Sequence, residues 1–324
     1  MISLSVIQAP VKSDLKKFYF EFSKILKTNV PLLNIITSYI LKKKEKQIRP
    51  IMVFLSAKML GKISKSTFTA ASLIELLHTA TLIHDDVVDN SYKRRKIFSI
   101  NVLWKSKIAV LFGDFLLAKG LLLAVKNKEY DILNIASDAV RKMSEGELIQ
   151  IQKSRKLNLT EEEYLKTISK KNAALISSCT ISGARSVTDD PFLIEKMKAF
   201  GINIGIAFHI KDDLFDYEIN SLTGKPKGYN IQRKKLTLPL IAAISNAPNN
   251  KKQVIINFIN NKLPGQDAYK TIVEFVHDYN GISYANDKML KYRDEAIKIL
   301  HSFEENDSRK SLELLVNYII ERKY

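Results

Sequence analysis

An all-α fold in a single large domain is what this sequence predicts, on three observations. Glycine (11) and proline (8) are scarce among 324 residues. Nearly every segment repeats apolar residues three and four apart, the spacing of one helix face. No alternation of apolar and polar residues lasts long enough for a sheet. With 46% hydrophobic residues, the chain can build a sizeable core.

The first element, SDLKKFYFEFSKILKTN, sets Leu15, Phe18, Phe22 and Leu26 on one face, with Ser13 placed as its cap. STFTAASLIELLHTATLIHDDVVDN continues helical for about 25 residues and is apolar around much of its circumference, which predicts burial inside a bundle. IAVLFGDFLLAKGLLLAV, Ile108 to Val125, is apolar enough to suggest a membrane span, yet Asp114 and Lys119 lie inside it. An ionised side chain near mid-bilayer costs roughly 2.5 to 3.5 kcal/mol, so a buried core helix is expected. LTEEEYLKTISKKNAALISSCTISGA opens with Thr160 and Glu163 at capping-box spacing. DPFLIEKMKAFGINIGIAFHIKDDLFDYE is a second long apolar helix. The strongest turn chemistry, NSLTGKPKGYNIQRKK from Asn220 to Lys235, follows it directly. No Pro/Ser-rich linker and no repeat divides the chain, so one domain over 1–324 is predicted.

The net charge is +17. Its lysines are spread along helices instead of forming arginine-rich blocks with interleaved aromatics, which argues against a nucleic-acid partner. One cysteine, Cys179, excludes an intramolecular disulfide framework and a thiolate metal cage, and fits a reducing, cytoplasmic setting. The N-terminal stretch lacks the pattern of a secretory signal.

Two stretches break the apolar pattern in the same way. LIHDDVVDN (82–90) and IKDDLFDYE (210–218) each place three carboxylates within five positions. On a helix, Asp85 and Asp89 share a face with Asp86 beside them, and Asp212 and Asp216 do the same with Asp213, at roughly 5–6 Å. Like charges so close raise one another's pKa, so a cation belongs between them. Oxygen ligands without cysteine or a matching histidine point to Mg²⁺, which bridges carboxylates to phosphates.

With those motifs in their order, from KQIRP to KKLTLPLI, the chain resembles the trans-isoprenyl diphosphate synthases of the polyprenyl synthetase family, long-chain type. The resemblance implies the isoprenoid synthase fold, a helical bundle around a deep central cavity, and a homodimer. It implies two or three Mg²⁺ ions held by Asp85, Asp86, Asp89, Asp212, Asp213 and Asp216. An allylic diphosphate would meet Arg94, Lys171, His209, Lys225 and Lys235, and isopentenyl diphosphate would meet Lys46, Arg49, His78 and Arg95. Lys171, Lys235, Asp85 and Asp212 would carry catalysis, stabilising the departing diphosphate before the isopentenyl double bond attacks and a proton is lost. A mixed set of planar Arg forks and mobile Lys charges suits two such anions.

Four positions depart from the family's pattern. His209 stands for its glutamine, Asn172 for a threonine, Glu45 for a glycine and Asn230 for an aspartate. The residues four and five before Asp85 are Thr81 and Ala80, both small, where short-chain members often carry an aromatic. A long-chain product, C30 or more, is therefore expected, its floor set by Leu73, Leu76, Leu77 or the helix from Leu116 to Val125. A short-chain farnesyl or geranylgeranyl synthase is the alternative. A non-catalytic partner subunit is disfavoured by six intact carboxylates, and an HD-type phosphohydrolase, suggested by His84 and His277, by a total of five histidines. Peripheral membrane contact for product release is a further expectation.

Overall fold

The structure, a computed structural model, describes residues 3–42, 48–94, 97–154, 159–217, 235–261 and 266–322. In chain order, α1 (Leu4–Gln8) runs through a 3₁₀ turn into α2 (Lys12–Ile25), α3 (Pro31–Lys42), α4 (Ile48–Leu60), α5 (Lys65–Val88), α6 (Ile100–Lys126), α7 (Tyr130–Ser154) and α8 (Glu161–Ile168). A π-helical turn (Ser169–Ala173) leads to α9 (Ala174–Arg185), α10 (Pro191–Phe215), α11 (Leu238–Asn246), α12 (Asn249–Asn261), α13 (Gln266–Asp278), α14 (Gly281–His301) and α15 (Asp307–Glu321). Among the described residues the only strands are Lys93–Arg94 and Ile97–Phe98, one antiparallel ribbon. The all-α expectation holds.

The two helices that end in carboxylates form the heart of the bundle. α5 packs against α4, α6 and α9, and α10 packs against α9 and α14. Ile51 and Phe54 of α4, Leu73 and Leu76 of α5, and Phe200 and Ile204 of α10 are almost wholly removed from water. Burying each such side chain stabilises by about 1.5–3 kcal/mol, so the apolar patterning fixes where both helices lie.

Of three local expectations, one holds and two are corrected. Leu15, Phe18, Phe22 and Leu26 are buried as their spacing requires, but Ser13 is no cap. The Lys12 N–H already bonds to the Ala9 carbonyl in the preceding 3₁₀ turn, so helical structure runs into α2 from before it. The capping box forms, Glu163 N donating to Thr160 Oγ1 at 3.2 Å and Thr160 N to Glu163 Oε2 at 3.1 Å, yet the helix behind it widens into the π turn. Finally, α6 is not buried all round. Gly113 and Gly120 let it approach α5, a Cβ at Gly120 falling 3.1 Å from Leu73 Cδ1. The opposite face, with Leu103, Val110, Leu111, Leu121, Leu122 and Val125, is exposed.

Candidate active site

The first acidic cluster ends α5. Asp85 is exposed, Asp86 and Asp89 are partly so, and Asp89 is the C-cap, its N–H bonded to the Asp85 carbonyl at 2.8 Å. The second cluster ends α10, with Asp216 at the C-cap. Both clusters thus stand at the negative end of a helix dipole, and neither last turn carries a basic residue. A carboxylate there is disfavoured by roughly 0.3–1 kcal/mol, so each helix end favours a cation. His84, between Ile83 and Asp85, turns away from the cluster. Its Nε2 lies 3.2 Å from the Val110 carbonyl and 3.5 Å from Asp114 on α6, where Gly113 leaves room for the ring.

Around the second cluster the partners are explicit. Asp213 is buried, and its Oδ2 accepts from Tyr164 OH at 2.7 Å and from Leu238 N at 3.0 Å. Burial pushes its carboxyl up to about 7 despite those donors, with Asp216 and Asp212 adding to the rise. Asp212 is more open and pairs through Oδ1 with Arg322, whose guanidinium lies 4.0 Å over the Phe208 ring. A cation from the end of α15 therefore already sits on this carboxylate.

Two expected residues, one of them from the π turn, meet at α7. Lys171 Nζ pairs with Glu147 and donates to Gln150 Oε1 at 2.9 Å, both on α7. Lys235, just before α11, reaches the other Glu147 oxygen at 3.6 Å. Burial works to raise the Glu147 carboxyl, but the two ammonium groups hold it below the usual range. His209 Nε2 lies 3.8 Å from Asp213 Oδ1, and its Nδ1 lies 2.6 Å from Asn172 Nδ2. Asn172, next to Lys171, meets His209, and Leu238, three residues after Lys235, meets Asp213, so the two lysines and the second cluster are joined through their neighbours.

For the second anion the structure places fewer groups. Arg49 at the start of α4 donates to Glu75 of α5 through Nε at 3.1 Å and Nη2 at 3.5 Å. His78 is buried on α5 one turn beyond Glu75. Lys46, Arg95 and Lys225 lie outside the described residues, as do Glu45 and Asn230, and Arg94 is described only as part of the ribbon.

Glu75, Glu147, Gln150, Tyr164 and Arg322 are site residues that motif reasoning missed. Glu147 and Gln150 carried one usable signal, being polar residues at helical spacing beside a glycine. Gly146 lets α7 approach the π turn, a Cβ there meeting Lys171 N at 3.2 Å.

Away from the carboxylates a cavity opens between α2, α3, α5 and α6. Leu76 and Thr79 line it on α5, Phe112 and Leu116 on α6, and Phe22 on α2. Leu76 and Leu116 are among the expected floor residues; the two phenylalanines are not. Ala80, next to Thr79, is fully buried, and Thr81 turns its hydroxyl back onto the His78 carbonyl at 2.9 Å.

Among the described residues no group of three or more acidic, histidine or cysteine side chains is already gathered for a metal ion. The oxygen-only donors at two helix ends, one of them holding a guanidinium, nevertheless suit a hard cation.

Residues 30–276 match the family described as polyprenyl synthetase. A short chain isoprenyl diphosphate synthase of Methanothermobacter thermautotrophicus is 31% identical over 86% of this chain and 87% of its own length. An all-trans-nonaprenyl-diphosphate synthase (geranyl-diphosphate specific) of Rhodobacter capsulatus is 31% identical over 98% of this chain and 97% of its own. Among solved structures, a polyprenyl synthase of Caulobacter crescentus complexed with calcium and isoprenyl diphosphate gives a TM-score of 0.92 at 28% identity, covering 99% of this chain and 98% of that one.

Proposed function

The chain belongs to the polyprenyl synthetase family, and from that membership we propose that it is a prenyltransferase condensing isopentenyl diphosphate with an allylic diphosphate into an all-trans polyprenyl diphosphate. The observation that carries this reading is the junction at Glu147. One carboxylate gathers Lys171 and Lys235 from separate segments, while Asp213 is held by Tyr164 and by Leu238, three residues after Lys235. Two lysines beside an acidic helix end form a site for a metal-bound polyanion.

Asp85, Asp86, Asp89, Asp212, Asp213 and Asp216 would hold a divalent metal, and we take it to be Mg²⁺, two or three ions, for its preference for carboxylate and phosphate oxygen. Bound there, it supplies Lewis-acid stabilisation of charge developing on the leaving diphosphate. Lys171 and Lys235 add point charges to the same anion, preorganised by Glu147. Arg49, with Lys46, His78 and Arg95, would orient isopentenyl diphosphate so that its double bond faces the allylic carbon. No separate base is needed if the departing diphosphate accepts the proton. Apolar walls around the condensing carbon would exclude water from the cation.

We further infer a long-chain product, C30 or more. Ala80 is small where bulk would close the path, and Thr79 before it lines an apolar cavity. Identity does not separate the two product classes, since the short-chain and nonaprenyl relatives both stand at 31%. A short-chain product is the second reading, favoured by Phe22 and Phe112 across that cavity. The exposed apolar face of α6 supports a homodimer, and the single domain, the cytoplasmic setting and peripheral membrane contact complete the proposal. The test is incubation of the purified protein with labelled isopentenyl diphosphate, Mg²⁺ and a series of allylic primers, products being sized by carbon number. Incorporation into products of C30 or more is expected; no incorporation with any primer overturns the reaction, and products of C20 or less overturn the length.

A further inference from the structure

Two of the four departures from the family's pattern, Asn172 and His209, touch each other. Asn172 Nδ2 and His209 Nδ1 are 2.6 Å apart although 37 positions separate them in sequence. With the Asn172 amide set so that its nitrogen faces the ring, Nδ1 accepts and the ring proton sits on Nε2. That nitrogen is the one 3.8 Å from Asp213 Oδ1.

The backbone accounts for the meeting. Gly205, His209 and Asp213 are four apart on α10 and share a face. At Gly205 that face touches the π turn, where a Cβ would fall 2.4 Å from Ala173 Cα. One turn later His209 therefore stands over Asn172, the residue before Ala173. The π turn is widened relative to an α-helix, as such turns often are at functional sites, and it sends Lys171 towards α7 and Asn172 towards α10.

We propose that Asn172 is a positioning residue that fixes the ring flip and tautomer of His209, so that Nε2–H is presented beside Asp213 to the allylic diphosphate. The identity of that anion rests on the prenyl-transfer reading; the tautomer does not. An imidazole without such a partner has two flips and two neutral tautomers to choose from. A contact at 2.6 Å from a donating amide selects one, leaving Nε2–H to face an anion oxygen.

The first experiment is ¹⁵N NMR of histidine-labelled, metal-free protein at pH 8, the His209 signals being those lost in His209→Gln. The expected result is a protonated Nε2 and a bare Nδ1 in the parent, and a larger share of the Nδ1–H form in Asn172→Ala. A parent already mixed, a protonated Nδ1, or an unchanged signal in Asn172→Ala overturns the proposal. The second is kinetic. Asn172→Ala should raise KM for the allylic primer about tenfold, the value of one hydrogen bond to a charged group, with KM for isopentenyl diphosphate unmoved. In a His209→Ala background the same change should add less than about twofold, since the two act as a unit. Additive losses overturn the coupling. The pair Asn172→Thr with His209→Gln should recover most of the primer affinity, and failure to do so also counts against it. Absence of any prenyl transfer by the parent would sink the functional reading alone, because the NMR result stands without activity.

Discussion

Glu147 shows how much of the site hangs on single side chains. A carboxyl held below its ordinary value of 4.5 contributes stability that is fully present above that pH and is lost as pH falls through the lower folded value. Glu147→Gln should therefore melt at a lower temperature than the parent at pH 7, and the difference should narrow below about pH 4.5. A gap that does not narrow as pH falls below 4.5 would mean the lysines are not what the carboxylate serves. Arg322→Ala tests the other occupied carboxylate. If the guanidinium competes with metal for Asp212, its removal should lower the Mg²⁺ concentration at half-maximal activity by up to about fivefold, the worth of a ~1 kcal/mol ion pair. A higher Mg²⁺ requirement would instead make Arg322 a helper of the site. The six aspartates were legible in the sequence because charge interrupts an apolar helix there. Glu147 and Arg322 were not, since an acid on an amphipathic helix and an arginine near the end of the chain look like solvated surface until tertiary contacts supply their partners.

At the scale of elements, helix identity was readable and helix irregularity was not. The π turn between α8 and α9 arises where Gly146 and Gly205 admit close neighbours, a relation among three segments that periodicity within one cannot express. The same holds inside α6, where Lys105 takes φ 69° and ψ 155°, a region that is essentially glycine's. Such a residue stores about 1–3 kcal/mol, while glycine in its place would cost about 0.5–1 kcal/mol in chain entropy. Lys105→Gly should on balance stabilise the protein by about 1 kcal/mol and raise its melting temperature by a few degrees. Scanning calorimetry decides it: an unchanged or lower transition would mean that the lysine side chain repays the strain through contacts of its own.

For the whole molecule, the pattern of apolar residues says which faces need covering but not what covers them, so α6 read as buried when one of its faces is open. The proposed homodimer accounts for that face, and Leu111→Lys with Leu122→Lys should leave a monomer by sedimentation if it does. Product length is the property in which site, elements and assembly meet. Each added C5 unit buries about four or five methylene-sized groups at roughly 0.8 kcal/mol apiece, so growth is favoured by several kcal/mol per step and only a steric stop can end it. The groups that can form such a stop are Phe22, Phe112 and Leu116 around the cavity, while Ala80, being small, leaves room. Ala80→Phe should shorten the product and Phe112→Ala should lengthen it, both read as carbon number at equal turnover, with melting temperature checked because each disturbs a packed core. Opposite shifts would place the stop in this cavity. An unchanged distribution in both variants would show that the growing chain leaves the carboxylates by another route, and that these phenylalanines serve packing alone.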